Sequence, residues 1–401
     1  MTIHRNHLSD WDKSRPDVLI IGGGIIGTLT ALALARDGVR VTVLERGELL
    51  RESSWAGAGI LSPIYPWKYP DALSHLVNRS LALYPGLVAD LEHASGVDPQ
   101  RRVSGLMIPV FSVAGWERMA GAIPWSERFG WVVERLDAAA ARRVEPCLSE
   151  QVVGALYWPE VAQIRNPRLA RAAAGAARKA GVAFVEQAEV TGMDLSHGQV
   201  TAVHSSRGRF SSGRVLLAAG SWSGDLARNL GLDLPVSPVK GQILLIRTAP
   251  GTLTRIVKQD QAYLVPRADG RILVGATMEM AGFDRRTTLS ALHFLSGALL
   301  SIAPSLADAE VERHWMGFRP GTPDGMPYLG AAPQVANLFV AAGHYRNGVV
   351  LAPATAEAMA CILTGSKPPT DLSAFAVDRP QPEGRDGELG FPGPAAADAR
   401  A

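Results

Sequence analysis

The chain has 401 residues, 47% of them hydrophobic and 19% charged, enough to bury the cores of two or more domains and too apolar for disorder. Lys+Arg 40 against Asp+Glu 38 leave a net charge of +2, which argues against a phosphate-tracking surface and so against nucleic acid as a partner. Two cysteines, Cys147 and Cys361, exclude a disulfide framework, and the nine histidines show no metal-ligand spacing, so no metal is expected.

Residues 1–16 are polar throughout and read as a flexible tail; with no secretory leader and no clean apolar span, the expected location is the cytoplasm and no integral membrane segment is expected. Val18–Ile21 is a continuously apolar run, the mark of a strand buried on both faces. Three glycines, a helix ending near Gly38 and the strand Val39–Leu44 complete a βαβ unit. A second loop of small residues, Ser53 to Gly59, follows, and then a helix over Leu73–Gly96. Strands are expected at Ser104–Val113 and Val153–Trp158, with a helix over Ser112–Ile123. Asn166–Gly181 reads as a helix with proline in its first turn, leading into a parallel strand at Val182–Gln187. Phe210–Gly220 reads as a strand ending in small residues. Gly241–Arg247, Gln261–Arg267 and Arg271–Ala276 alternate with period two, and Asp269–Gly270 is a hairpin turn, which predicts an antiparallel sheet. Phe339–Ala342 returns to α/β style before a helix over Ala354–Thr364. The fold class is therefore α/β plus an antiparallel domain: a doubly wound, Rossmann-like domain from 17–85, 150–235 and 330–370, a mixed-sheet domain from 86–149 and 236–329, and a flexible tail over 380–401.

Chemistry begins at Gly22-x-Gly24-x-x-Gly27, set between a strand and a helix. Gly22 permits the tight turn, Gly24 lets the backbone approach a pyrophosphate, and Gly27 lets helix and strand pack closely, while Ile25 and Ile26 begin the helix whose N–H groups face the phosphates. Glu45, at the end of the next strand, can accept from ribose hydroxyls and disfavours a 2′-phosphate. The motif alone leaves NAD and FAD open; Ser53, Ser54 and the run Ala56, Gly57, Ala58, Gly59 favour an extended dinucleotide, FAD, whose far end lies against backbone. Gly220 and Gly343 end two later strands and supply more cofactor wall. Arg319 and Arg346 stand in Gly/Pro-rich turns, where a guanidinium fork can hold a carboxylate. Tyr263 could donate to the same carboxylate or fill a core, and Met278 reads more naturally as core. His344 is a tempting base beside Arg346, but a structural role is preferred.

Seven segments, DVLIIGGGIIG, ESSWAGAGILSP, LLAAGSWS, PVKGQ, AYLVPRADGRILVGATME, WMGFRPGTPDGMPYLG and NLFVAAGHYRNGVVLAPAT, resemble the FAD-dependent D-amino acid oxidase family, and within it the glycine oxidases of the thiamine pathway. The resemblance runs from residue 17 to about 365. It implies that Arg319 clamps the substrate carboxylate, that Tyr263 donates to it, and that Met278 and Gln261 line the small pocket, with Gln261 where some glycine oxidases carry histidine. It places Arg346 and Asn347, Gly348 and Val349 beside the flavin's pyrimidine edge, and His344 with them; Val190 falls on the adenine side, and Arg46, Ala219 and Trp222 fall on the cofactor wall. Cys361 lies on the last helix, away from these motifs, so FAD is expected to be non-covalent.

The implied reaction is oxidative deamination of glycine, sarcosine, D-alanine or D-proline. Hydride passes from the α-carbon to flavin N5, and O2 is the acceptor. Imino or 2-oxo acid, ammonia or amine, and H2O2 are the products, with iminoglycine handed to thiazole synthase. The resemblance also implies a homotetramer or another homo-oligomer. Two alternatives stay open: a D-amino acid or D-proline dehydrogenase feeding a quinone or partner protein, and a non-catalytic FAD-binding subunit of a heteromeric oxidase.

Overall fold

The computed structural model describes residues 15–63 and 65–381, so nearly all of the two expected tails lies outside the described residues. Two large sheets organise the rest. The first has six strands in the order Tyr328–Ala331, Leu338–Ala342, Arg214–Leu217, Val18–Ile21, Val41–Leu44, Ala183–Val185. Every pairing in it is parallel except that of Tyr328–Ala331 with Leu338–Ala342. Val18–Ile21 is central and buried, and its side chains alternate between two cores. Val18 and Ile20 pack with the helices Ile25–Arg36, Asp71–Ser95, Asn166–Lys179 and Gly348–Thr364; Leu19 and Ile21 pack toward the antiparallel hairpins between Val190 and Phe210. A continuous apolar run needs no polar face here, because both faces are covered.

The second sheet has eight strands in the order Glu310–Gly321, Ser237–Arg247, Arg271–Gly275, Ala262–Pro266, Ile256–Gln259, Leu106–Val110, Gly154–Trp158, Glu134–Asp137. It is antiparallel except where Ile256–Gln259 runs beside Leu106–Val110, and the Asp269–Gly270 hairpin forms as expected. The helix Leu289–Ile302 covers its outer face, and its inner face looks toward the first sheet.

Several expectations are corrected. Gly154–Trp158 belongs to the eight-stranded sheet, so the crossing between domains falls after Trp158 and not at residue 150. The helix expected over Ser112–Ile123 is two helices, Val113–Arg118 and Ala122–Phe129, with a turn at Met119–Gly121 between them. The last helix begins at Gly348, six residues early, and runs through Pro353; the Val349 carbonyl, which the proline cannot bond, accepts from the Tyr84 hydroxyl instead. The strand expected at Phe210–Gly220 is only Arg214–Leu217, and the hairpins from Val190 were not foreseen.

Candidate active site

The strand Val18–Ile21 delivers the chain into the glycine turn. Gly22 has φ +111, and a Cβ on it would lie 2.4 Å from the Ala218 carbonyl oxygen. A Cβ on Gly27 would lie 2.1 Å from the Gly22 oxygen, so helix and turn touch only because both residues are glycine. Gly24 caps the helix without a side-chain bond, and the Ser54 hydroxyl accepts the Ile25 N–H at 2.9 Å, tying the second small-residue loop to the helix end. The Glu45 carboxylate accepts the Gly23 N–H at 2.8 Å and the Gly47 N–H at 2.9 Å. Burial pushes its pKa up, opposed by those amides and Arg46.

A cleft of about 440 Å³ runs from this turn to the face of the eight-stranded sheet. Glu45, Arg46, Val190, Ala219, Gly220 and Trp222 line one end. The Arg46 guanidinium lies 3.6 Å over the Trp222 ring and pairs with Glu52 at 3.0 Å. Ser53, Ser54 and Ala56–Gly59 line the middle, where Ser53 donates to the Phe318 carbonyl. Ser53–Ala56 is a single helical turn, not a loop. Beside Gly57 and Gly59 sits Asn166, 1% exposed, both amide atoms of its side chain without a protein partner. Arg267, also buried, donates to the Ala58 carbonyl at 2.7 Å and to Gln163 at 2.6 Å, stapling this loop to the chain behind it. Burial brings its pKa down to about 9.

At the far end two glycines make a floor. The Arg319 guanidinium lies on Gly241, where a Cβ would be 2.2 Å from Nη1, and the Tyr263 ring lies on Gly275, where a Cβ would be 2.4 Å from the phenol oxygen. Arg319 donates to the Thr277 carbonyl at 3.1 Å and to the Lys240 carbonyl at 3.4 Å. Among the described residues no carboxylate comes within ion-pair distance of it. Burial lowers its pKa, and the Tyr263 phenol opposes that. Burial raises the Tyr263 pKa, so the hydroxyl keeps its proton at neutral pH and can donate. From the other domain come Arg346 and Tyr345, whose Nη2 and phenol both donate to the Met278 sulfur, at 2.9 and 3.0 Å.

The sequence-based set is thus largely brought together: Tyr263, Gln261, Arg319, Arg346, His344, Gly348 and Val349 face one cleft with Gly22, Gly24, Ile25, Ile26 and Glu45. Four members do not line it. Gly27 packs behind the turn, Gly343 (φ +75) packs against Thr322 and Tyr328, Asn347 is buried behind it, and Met278 holds Arg346 from the side. Arg319 stands on the strand Glu310–Gly321, not in a turn. His344 Nε2 lies 3.2 Å from the Thr355 hydroxyl, and burial lowers its pKa to about 3, which suits a neutral structural ring and not a base. Sequence reasoning missed Asn166, taken only for the start of a helix, and Arg267 inside the PRADG segment. Neither carries a local signal, because each is defined by what folds around it.

A glycine turn feeding a long cleft, with arginines converging at its end, defines a flavin-dependent oxidoreductase. FAD fits the residues present: the turn would be filled by any side chain, the helix end faces the cleft, and the buried Asn166 amide awaits a polar partner. Neither Cys147 nor Cys361 lines the cleft. Comparison with known proteins agrees. The family described as FAD dependent oxidoreductase (DAO) matches residues 17–362. Glycine oxidase of Pseudomonas putida is 41% identical over 372 residues, 92% of this chain and 98% of that protein. The bifunctional protein ThiO/ThiG of Synechocystis sp. is 38% identical over 374 residues, 92% of this chain and 54% of its own length. The crystal structure of glycine oxidase from Geobacillus kaustophilus superposes with a TM-score of 0.88 at 33% identity, covering 91% of this chain and 99% of that one. The chain belongs to this family of FAD-dependent oxidoreductases and is an enzyme of the amino-acid oxidase kind. Among the described residues no helix is long and apolar enough to cross a membrane, and no group of side chains could hold a metal.

Proposed function

We propose that the protein oxidises glycine and other small primary or secondary amino acids, sarcosine, D-alanine and D-proline among them, to imino and then 2-oxo acids, with dioxygen as acceptor and hydrogen peroxide as product. The observation that carries this reading is Arg319: a guanidinium laid flat on Gly241, beside the Tyr263 hydroxyl, with no carboxylate of its own. A substrate carboxylate supplies the missing anion, and the two side chains orient it by charge-assisted hydrogen bonds. FAD, when bound, supplies the hydride acceptor and the route for electrons to dioxygen. Arg346, fixed by the Met278 sulfur, brings positive charge to the same end of the cleft. Glu45 meets ribose hydroxyls, and Gly22 and Gly24 leave room for the pyrophosphate. No base is assigned: the free amine's lone pair assists loss of hydride from the α-carbon, and the one histidine in the cleft stays neutral. Water that later hydrolyses the imine comes from bulk solvent.

That the same relatedness extends to a bifunctional ThiO/ThiG protein supports a role in supplying iminoglycine to a thiazole synthase. The first test is the visible spectrum of the anaerobic holoprotein with glycine, sarcosine, D-alanine and D-proline added in turn. Bleaching of the flavin bands by glycine or sarcosine, with recovery and peroxide on admitting air, is expected. Bleaching that does not recover in air, or that only D-proline produces, would assign a dehydrogenase instead.

A further inference from the structure

The sheet floor under Arg319 has a charged underside. Along the strand Ser237–Arg247, Gly241 faces the cleft and carries the Arg319 guanidinium, so its neighbours Lys240 and Gln242 leave the sheet on the opposite face. Both are buried there, Lys240 with 1% exposure and Gln242 with none. The segment after Ala276 comes alongside them. The Gln242 N–H donates to the Thr277 hydroxyl at 2.9 Å, and Lys240 and Glu279 exchange both backbone hydrogen bonds, at 3.0 and 2.9 Å.

The side chains then close a network. The Lys240 ammonium lies 3.1 Å from an Asp284 carboxylate oxygen and 3.4 Å from Glu279 Oε2. Glu279 Oε1 accepts from the Thr277 hydroxyl at 2.5 Å and from the Gln242 amide at 2.8 Å. Burial pushes the Glu279 pKa up, but those two donors and the Lys240 charge outweigh it and hold the carboxyl below its usual range. Lys240, Gln242, Thr277 and Glu279 do not line the cleft, so none of them meets a substrate there.

They meet Arg319 instead. The two backbone carbonyls that accept from its guanidinium belong to Thr277, at 3.1 Å, and to Lys240, at 3.4 Å. Both residues are tied to Glu279 on the far side of the sheet, so the Lys240–Glu279 pair sets how far apart the two acceptors stand. The Glu279 charge also reaches Arg319 from behind. Lys240 offsets that charge, which leaves the guanidinium's attraction for an anion in the cleft.

We propose that Lys240, through its ion pair with Glu279, is a positioning residue for the reaction: it fixes the carbonyls that aim Arg319 and neutralises the carboxylate behind it. The substrate carboxylate thereby meets a clamp already in place, and a small shift of such a clamp is costly. The proposal rests on the oxidase reading above, in which Arg319 holds that carboxylate.

The test compares flavin-loaded wild type, Lys240→Met, Glu279→Gln and the double variant. Each is read by steady-state kinetics with glycine and by the change in the flavin bands as acetate, a carboxylate without an amine, is titrated. Lys240→Met is expected to raise KM for glycine and Kd for acetate about tenfold each, with kcat changed by no more than about twofold. The double variant is expected to lie below Lys240→Met in both constants, because the single substitution strands a buried carboxylate that the double one removes. Unchanged KM and Kd in Lys240→Met, a loss confined to kcat, or two effects that multiply in the double variant each overturn the role. Should Lys240→Met fail to hold FAD, Glu279→Gln decides: a rise of about threefold in both constants is expected, and no rise overturns the role. Wild type that binds no acetate and oxidises none of the amino acids would overturn the oxidase reading itself, and the positioning role with it.

Discussion

Arg319 is held by two backbone carbonyls and faces a cleft without a carboxylate of its own, so its charge is a standing demand for an anion. Arg319→Met is expected to lower kcat/KM for glycine about a hundredfold, mainly through KM, with FAD retained; Arg319→Lys recovers only part, because a point charge cannot hold both oxygens. Steady-state kinetics on the flavin-loaded variants checks both. An unchanged KM in Arg319→Met would remove the clamp from the reading. His344 makes a different prediction. Its ring is buried neutral with a pKa near 3, against 6.5 in the unfolded chain, so between those values the unfolded chain binds a proton that the folded one does not. Its contribution therefore lowers stability progressively as pH falls from about 6.5 toward about 3. Melting temperatures followed over that range should fall less steeply in His344→Asn than in wild type; parallel curves would show that the ring does not titrate there.

Glycines at Gly241 and Gly275 matter as parts of strands, since each opens a gap in the side-chain row on which a functional group lies flat. Gly241→Ala puts a methyl 2.2 Å from Arg319 Nη1, so the guanidinium must lift away. A rise in KM of about tenfold, with little loss of melting temperature, is expected, and an unaffected KM would show that the guanidinium has another way to sit. The N-terminal unit was legible because its information is local: strand, glycine turn, helix and Glu45 fall within 30 residues, and periodicity and glycine spacing survive without a partner. The sheet floor was half legible. Period two gave the strands around Tyr263, but Arg319 looked like a turn residue because Gly317, Pro320 and Gly321 flank it, whereas strand pairing with Val239 overrides their preference. Asn166 and Arg267 were invisible for a third reason. Their roles depend on loops from more than one hundred residues away in the chain closing over them, as the |i−j| of 103 and 209 between Arg267 and its backbone acceptors shows.

The cleft is walled by both domains, with Glu45 and Trp222 on one side and Tyr263 and Arg319 on the other, so a bound dinucleotide bridges them. Binding to the folded form alone stabilises it by mass action, by about 2.7 kcal/mol at a hundredfold excess over Kd. Melting temperature should rise steadily as FAD is titrated into stripped protein, and a flat response would mean that the folded chain does not bind FAD in this cleft. The six-stranded sheet has a further consequence, in time and not in space. Val18–Ile21 and its neighbour Val41–Leu44 emerge early in synthesis, yet the neighbour on the other side is Arg214–Leu217, and the strand beyond that is Leu338–Ala342. On a ribosome the glycine turn thus waits, with a bare strand edge beside it, until more than half of the chain has been translated. Flavin loading becomes one of the last events of biogenesis, and the nascent chain is a client for whatever shields unpaired edges until then.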